Sequence, residues 1–163
     1  MKKSIVFLFL CITAVTFAQR GDIPSVSIKS LDGKSVTSSE LVKPGEVTVI
    51  NFWSTSCKPC LQELEAISNV YDEWKEEANF NFIAISVDDS RSSSRVKSLV
   101  AGKGWPFSFY LDTNQDLKRA LNVTIIPHTV VVDKTGKIVY SHVSYTQGSE
   151  VTLFNEVKKA VKK

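Results

Sequence analysis

The chain is poor in the residues that most often carry chemistry: of its 163 residues, three are cysteine, two histidine and one methionine. So few soft ligands make a closed four-ligand zinc site hard to assemble. Basic tracts are absent as well. The formal charge is only +3, and no Lys/Arg run stands out beyond Lys158-Lys159 and Lys162-Lys163. These pairs suit the end of a last helix, where cations meet the negative pole of the helix dipole, and nucleic acid is excluded as a partner. No apolar run reaches the roughly 20 residues that span a bilayer. Internal repeats, low-complexity stretches and linkers long enough to divide the chain are missing too. With 43% hydrophobic and 23% charged residues, the composition is that of one ordinary globular domain.

The first 18 residues have the layout of an export signal. Lys2 and Lys3 supply the charged start, Ile5 to Ala18 is almost wholly apolar, and Thr16-Phe17-Ala18 places small residues for cleavage before Gln19. Residues 19–163 then form the mature domain, which is close to neutral. Cys11 lies inside the apolar run and leaves with it. Leu10 before it is not the small residue of a lipoprotein signal, so a cleaved leader is favoured over a membrane anchor. The expected location is the periplasm.

Two cysteines remain, in Cys57-Lys58-Pro59-Cys60. The apolar run Val47 to Trp53 precedes them, and a helical pattern follows. Thiols at this spacing can close a disulfide with little backbone movement, and a helix N-terminus lowers a thiol pKa, which raises the thiolate fraction that acts as nucleophile. Export also permits a structural disulfide. Closing so short a loop would contribute only roughly 2 kcal/mol, and a chain of this length buries a sizeable core without it. Redox exchange is therefore the favoured use of the pair.

Around this motif, strands alternate with helices. Val26, Ile28 and Val36 flank the turn Leu31-Asp32-Gly33-Lys34 as a hairpin, and Ser38 to Leu41 forms a short helical turn. Val47 to Trp53 is a strand. From Pro59 to about Ala78, Leu61, Leu64, Ile67, Tyr71 and Trp74 recur at helical spacing, with Pro59 suited to the first turn. Phe80 to Val87 is the next strand, followed by a helix from Ser92 to Ala101 that Gly102 ends. Phe107 to Leu111 is a strand and Asn114 to Leu121 a helix. Thr129–Val132 and Lys137–His142 make a hairpin, and Ser149 caps a closing helix to Val161. This order predicts an α/β domain: parallel strands joined by crossovers, antiparallel strands added by the last hairpin, and helices over both faces.

The segment Phe52-Trp53-Ser54-Thr55-Ser56-Cys57-Lys58-Pro59-Cys60 resembles the active-site stretch of thioredoxin-like proteins. Together with Leu31-Asp32-Gly33, Tyr110-Leu111-Asp112-Thr113, Ile125-Ile126-Pro127-His128-Thr129 and Val132-Asp133-Lys134-Thr135-Gly136-Lys137, the pattern is similar to the exported TlpA/ResA-type thiol–disulfide oxidoreductases over nearly all of the mature chain. The resemblance implies a thioredoxin fold: a mixed central sheet flanked by helices, with an N-terminal β-hairpin extension and a central βα insertion. It implies Cys57 as the exposed attacking thiol and Cys60 as the resolving one. Pro127 matches the family's cis-proline, and Ile126 before it would offer backbone groups to an extended substrate segment.

Three other positions carry competing readings. Glu63 lies one helical turn after Cys60, on the same face, and the ResA-like subgroup has a glutamate there. It could hold or accept the proton of the resolving thiol, or it could be a solvated acid favouring the helix N-terminus. In thioredoxin itself the acid sits on the preceding strand, where this chain has Asn51. Lys58 could favour the Cys57 thiolate and take part in substrate binding, or contribute little because it is exposed. Trp53 matches an aromatic residue under the active site, with a substrate-side role or a packing role. Ser56 stands where many relatives have Trp, so the surface beside Cys57 is less apolar.

The expected function is reduction of disulfides in exported proteins, with apocytochrome c as one substrate class, by a monomer that needs no cofactor or metal. A periplasmic reductant implies a membrane protein that supplies electrons. Copper or zinc binding through Cys57, Cys60 and one of His128 and His142 is the alternative from metal chemistry, with His128 placed nearer the thiols because it follows Pro127. A peroxidase is another, although Ile50 and Ser54 occupy the Pro and Thr places of the peroxiredoxin motif. A non-catalytic binding module would have no use for an intact cysteine pair. The loop Asp88 to Ser94 has no assigned role.

Overall fold

The computed structural model describes residues 22–163. The proposed leader, with Cys11 and the cleavage point before Gln19, lies outside the described residues. Seven strands form one mixed sheet, β1 (Ser27–Ser30), β2 (Ser35–Thr37), β3 (Val47–Trp53), β4 (Phe80–Ser86), β5 (Ser108–Leu111), β6 (His128–Val132) and β7 (Ile138–Val143). Four helices accompany them, α1 (Lys58–Glu77), α2 (Ser93–Lys103), α3 (Asp116–Ala120) and α4 (Ser149–Lys162), with short 3-10 turns at Ser38–Leu41 and Ser90–Ser92.

The strand order is β2-β1-β5-β4-β3-β6-β7. Strands β3, β4 and β5 run parallel, while β6 is antiparallel to β3 and β7 is antiparallel to β6. Among the described residues, the N-terminal hairpin joins the sheet only through β5, to which β1 pairs antiparallel. Strand β5 and helix α3 are the expected central insertion, and they give the hairpin its place of attachment.

Strand β3 has every residue buried, which explains its near-continuous apolar run. Its alternation divides the core in two. Val47, Val49 and Trp53 face α1, α2 and α4, packing with Leu64, Ile67, Val96, Leu153 and Val157. Ile50 and Phe52 point to the other face, with Ile83, Ile85, Leu117 and Val130. Both faces are covered, as the pattern predicts, but unevenly. The three longer helices share one side, and the short α3 with adjoining chain covers the other. Rings dominate the first core: Trp74 stacks on Phe154 at 4.4 Å, and Trp53 meets Trp105 and Phe109 edge-on at 5.9 Å each.

Three helix ends differ from the sequence expectation. Helix α2 runs through Gly102 to Lys103, and Gly104 at φ 64° is the left-handed residue that ends it. Two glycines with one residue between them look alike in sequence, and only the turn count decides which leaves the helix. Helix α3 begins at Asp116 because the Asp112 carboxylate accepts the N–H groups of Asp116 and Lys118 at 2.8 Å each. Gly148, with φ 94°, is the N-cap of α4. Ser149 is its first residue, and its buried hydroxyl has no partner.

The two glycines of α2 give opposite predictions. A Cβ at Gly102 meets nothing within 4 Å, so Gly102→Ala should stabilise the oxidised protein by up to about 1 kcal/mol. Gly104→Ala must hold a left-handed conformation and should destabilise it by about 1–2 kcal/mol. Urea unfolding of both variants tests this. Shifts of the same sign would reject the assigned helix end.

Candidate active site

The C-terminal ends of β3 and β4 and the start of β6 meet at one edge of the sheet, the usual place for a site in parallel α/β structure. Strand β3 ends at Trp53, and the chain turns through Ser54 to Ser56 into α1. Cys57 is the N-cap of α1. Its Sγ accepts the N–H of Cys60 at 3.3 Å, and its carbonyl accepts the N–H of Leu61 at 3.1 Å. The sulfur therefore takes the place of the oxygen that usually caps a helix, in the positive field of the helix N-terminus.

Cys57 and Cys60 are joined by a disulfide, with Cα atoms 5.3 Å apart. Their surroundings are unequal. Cys57 is half-buried. Cys60 is 0% exposed and belongs to the core beside Trp53 and Leu64. One sulfur can be reached from solution and the other only through its partner. A nucleophile arriving from outside must therefore meet Cys57.

The turn into α1 is tied to the end of β4. The Asp88 carboxylate accepts the Thr55 N–H at 2.9 Å, the Thr55 hydroxyl at 2.8 Å and the Ser86 hydroxyl at 2.7 Å. Asp88 belongs to the loop with no assigned role in sequence. Its position directly after a β-strand at the carboxyl edge was the available signal. Later in the same loop, Asp89 caps the 3-10 turn by accepting the Ser92 N–H.

Glu63 is 0% exposed, which rules out the solvated-acid reading. Asn51 Nδ2 donates to its Oε2 at 2.7 Å and to Thr129 Oγ1 at 2.8 Å. The Thr129 hydroxyl lies 3.3 and 3.5 Å from the two carboxylate oxygens. His142 Nε2 lies 3.0 Å from Oε1. Asn51, Thr129 and His142 form one cross-strand row, since Asn51 pairs with Thr129 and Thr129 with His142. Glu63 reaches into the row from α1. Asn51 was visible in sequence only as a departure from thioredoxin. Thr129 and His142 were missed, because what joins them is strand register.

The Ile126–Pro127 bond is cis. Pro127 is buried, and its carbonyl accepts the Ser144 N–H at 2.8 Å. Ile126 is half-buried beside exposed Ile125. Lys58 is exposed, and no ion pair involves it among the described residues. Trp53 is 0% exposed, so the expected substrate contact is corrected: its ring is packed floor between the sheet and Trp105.

His128 does not join the sulfurs. It alternates with Pro127 and Thr129, so its ring lies on the opposite face, edge-on to Phe52 at 6.5 Å, and its Nε2 bonds Ser141 Oγ at 2.8 Å. Burial, then repulsion from His142, lowers its pKa. The copper arrangement built from Cys57, Cys60 and His128 is not formed, because strand alternation turns the histidine away.

A family model described as Redoxin matches residues 19–159. Over 124 residues the chain is 27% identical to the thiol-disulfide oxidoreductase ResA of Bacillus subtilis, a match covering 76% of this chain and 66% of that protein. The chain thus spans just under two thirds of the length of the curated relatives it first matches. Among solved structures, an uncharacterized thioredoxin-like protein from Porphyromonas gingivalis is 44% identical with a TM-score of 0.76, covering 86% of this chain and 92% of that one. A thiol:disulfide interchange protein of the thioredoxin family from Chlorobium tepidum is 27% identical with a TM-score of 0.66, covering 86% and 95%.

If Asp88 positions the turn before Cys57, Asp88→Ala should cost about 1–3 kcal/mol through the unpaired Thr55 and Ser86 groups. Amide hydrogen exchange at Thr55 should speed up more than at the neighbouring β3 amides. Unchanged protection at Thr55 would show that the turn holds without the carboxylate.

Proposed function

The chain belongs to the redoxin family, with a thioredoxin-like fold, and from that premise we propose that it is a dithiol–disulfide oxidoreductase that reduces disulfides in exported proteins. The observation that carries this reading is the inequality of the two sulfurs. Cys57 is reachable at a helix N-terminus, and Cys60 is sealed beneath it.

The reaction starts with the reduced pair. The Cys57 thiolate attacks one sulfur of the substrate disulfide, that bond breaks, and a substrate thiolate leaves to take a proton from water. Cys60 then gives its proton to the Glu63 carboxylate and attacks Cys57 Sγ. The Cys57–Cys60 bond forms, and the second substrate thiolate leaves. Two electrons pass to the substrate, and the pair ends as the disulfide. The spacing of Glu63 from Cys60 supports this reading, since residues three apart on a helix share a face. Backbone N–H groups at the start of α1 favour the Cys57 thiolate.

Substrate recognition falls to the rim. Neither the N–H nor the C=O of Ile126 bonds within the described residues, so both are free to pair with an extended substrate segment. Exposed Ile125 adds apolar surface there, and Lys58 adds charge beside Cys57. In the exported setting implied by residues 1–18, the protein works in the periplasm as a monomer. A membrane dithiol protein returns it to the reduced form, and apocytochrome c thiols are one fitting substrate. No helix among the described residues is long and apolar enough to cross a membrane.

Equilibration in defined thiol buffers should give the Cys57–Cys60 couple a reduction potential near or below about −250 mV. A value above about −180 mV would reassign the protein as an oxidant or isomerase. Cys60→Ser should accumulate a mixed disulfide with substrate, and Cys57→Ser should not. Trapping by Cys57→Ser would reverse the two roles.

A further inference from the structure

The ring of His142 makes a single hydrogen bond, and its partner is a carboxylate that solvent does not reach. Nε2 lies 3.0 Å from Glu63 Oε1, while Nδ1 is buried without a partner. The Glu63 side chain is 0% exposed and that of His142 is 17% exposed. A buried carboxylate stays ionised only where donors replace the water it has lost. Glu63 has three such donors. Asn51 and Thr129 are neutral amide and hydroxyl groups, so His142 is the one that can also carry charge.

We infer that His142 is a positioning residue for the resolving step: its Nε2–H holds the buried Glu63 carboxylate ionised and aimed, ready to take the proton that Cys60 loses. The inference rests on the reading of Glu63 given above. No proton moves from His142 itself. The Cys60 proton goes to a Glu63 oxygen, the Cys60 thiolate forms the bond to Cys57, and the histidine keeps donating to Oε1. A histidine side chain can also carry a positive charge, which opposes neutralisation of a neighbouring carboxylate. The row Asn51–Thr129–His142 across β3, β6 and β7 fixes the donors before the reaction starts, so the site has no reorganisation to make when the proton arrives.

The other titratable groups around this pair have different partners. His128, from β6, bonds Ser141 on the far face. Tyr140, on the same strand, has its ring 5.7 Å from His142 and a pKa raised by burial, then by Glu156 of α4 and by Glu63. Tyr145 donates to Glu150 of α4, and burial and that bond push its pKa to about 12. Both phenols stay neutral below pH 9 and do not contribute to changes in that range.

The test is stopped-flow reaction of the reduced full chain with 5,5′-dithiobis(2-nitrobenzoate) from pH 5 to 9. Attack by Cys57 releases one thionitrobenzoate and leaves a mixed disulfide. Attack by Cys60 releases the second, so the slow phase reads resolution alone. Losing a donor favours the protonated carboxyl form. In His142→Phe the profile of the slow phase should therefore move alkaline by a pH unit or more, making resolution about tenfold slower on its acid side, with the fast phase unchanged. His142→Gln keeps an N–H donor without a titrating charge, and its profile should lie between wild type and His142→Phe. Glu63→Gln is the control.

If Glu63→Gln slows the slow phase and both His142 variants keep the wild-type profile, the inference falls while the role of Glu63 stands. If Glu63→Gln leaves the slow phase unchanged, the role of Glu63 falls and the inference with it. Should His142→Phe not fold, the Gln variant decides alone: a wild-type profile overturns the inference, and an alkaline shift supports it.

Discussion

A carboxylate kept away from water is the constraint on which the site depends. Taking an ionised group out of solvent costs several kcal/mol unless hydrogen bonds replace its hydration. Glu63 meets that cost with donors from three adjacent strands. The need ties elements far apart in sequence to one another. Helix α1 must lie over the junction of β3 and β6, β6 must pair with β3 in one register, and β7 must extend the row. The same α1 position seats Cys60 in the core and leaves Cys57 at the rim. The inequality of the sulfurs and the burial of Glu63 are two results of one packing arrangement.

The two ends of the motif solve different problems. At Cys57 the local backbone acts: the first turn of α1 directs N–H groups at a sulfur that solvent can reach. At Cys60 the tertiary structure acts, through a buried polar row that no local sequence rule specifies. Asp88 links the halves by holding the turn between β3 and α1 from the end of the neighbouring parallel strand. The solvent-facing sulfur and the buried polar row thus lie on opposite sides of one disulfide.

How much of this could be read from sequence follows the same division. Strand β3, helix α1 and the hairpin β6–β7 were legible because their apolar periods are strong and Pro, Gly and Asp mark their ends. The cysteine pair was legible from its place between strand and helix. Gly102 was mistaken for a helix end because C-cap chemistry fits either of two nearby glycines. Ser149 was mistaken for a cap because Gly148 takes that place at a positive φ. Trp53 was given a possible substrate contact because burial on both faces of β3 cannot be told from one apolar run. Glu63 was placed on the correct helix face, but its partners were hidden. Asn51, Thr129 and His142 are far apart in the chain, and only strand register brings them into a row.

Register alone would still not direct His142 at Glu63. Strand β7 pairs regularly with β6 from Val143 back to Tyr140, and then skips a residue, so that Val132 pairs with Ile138. Ile138 packs into the core on the face of Val130 and Val132, while Val139 and Tyr140 pack on the face of α1 and α4. Side chains on a regular strand alternate. With Ile138 on its observed side and no bulge, Tyr140 and His142 would point to that side too, away from Glu63. The extra residue reverses the parity, so β7 fills one core with Ile138 and serves the other with His142. A bulge that re-aims a side chain next to a functional site is a recurrent use of this irregularity. Here it lies outside the Asn51–Thr129–His142 row, and the row itself keeps regular pairing. The position of one skipped residue in an edge strand therefore determines which of the chain's two histidines faces the buried carboxylate.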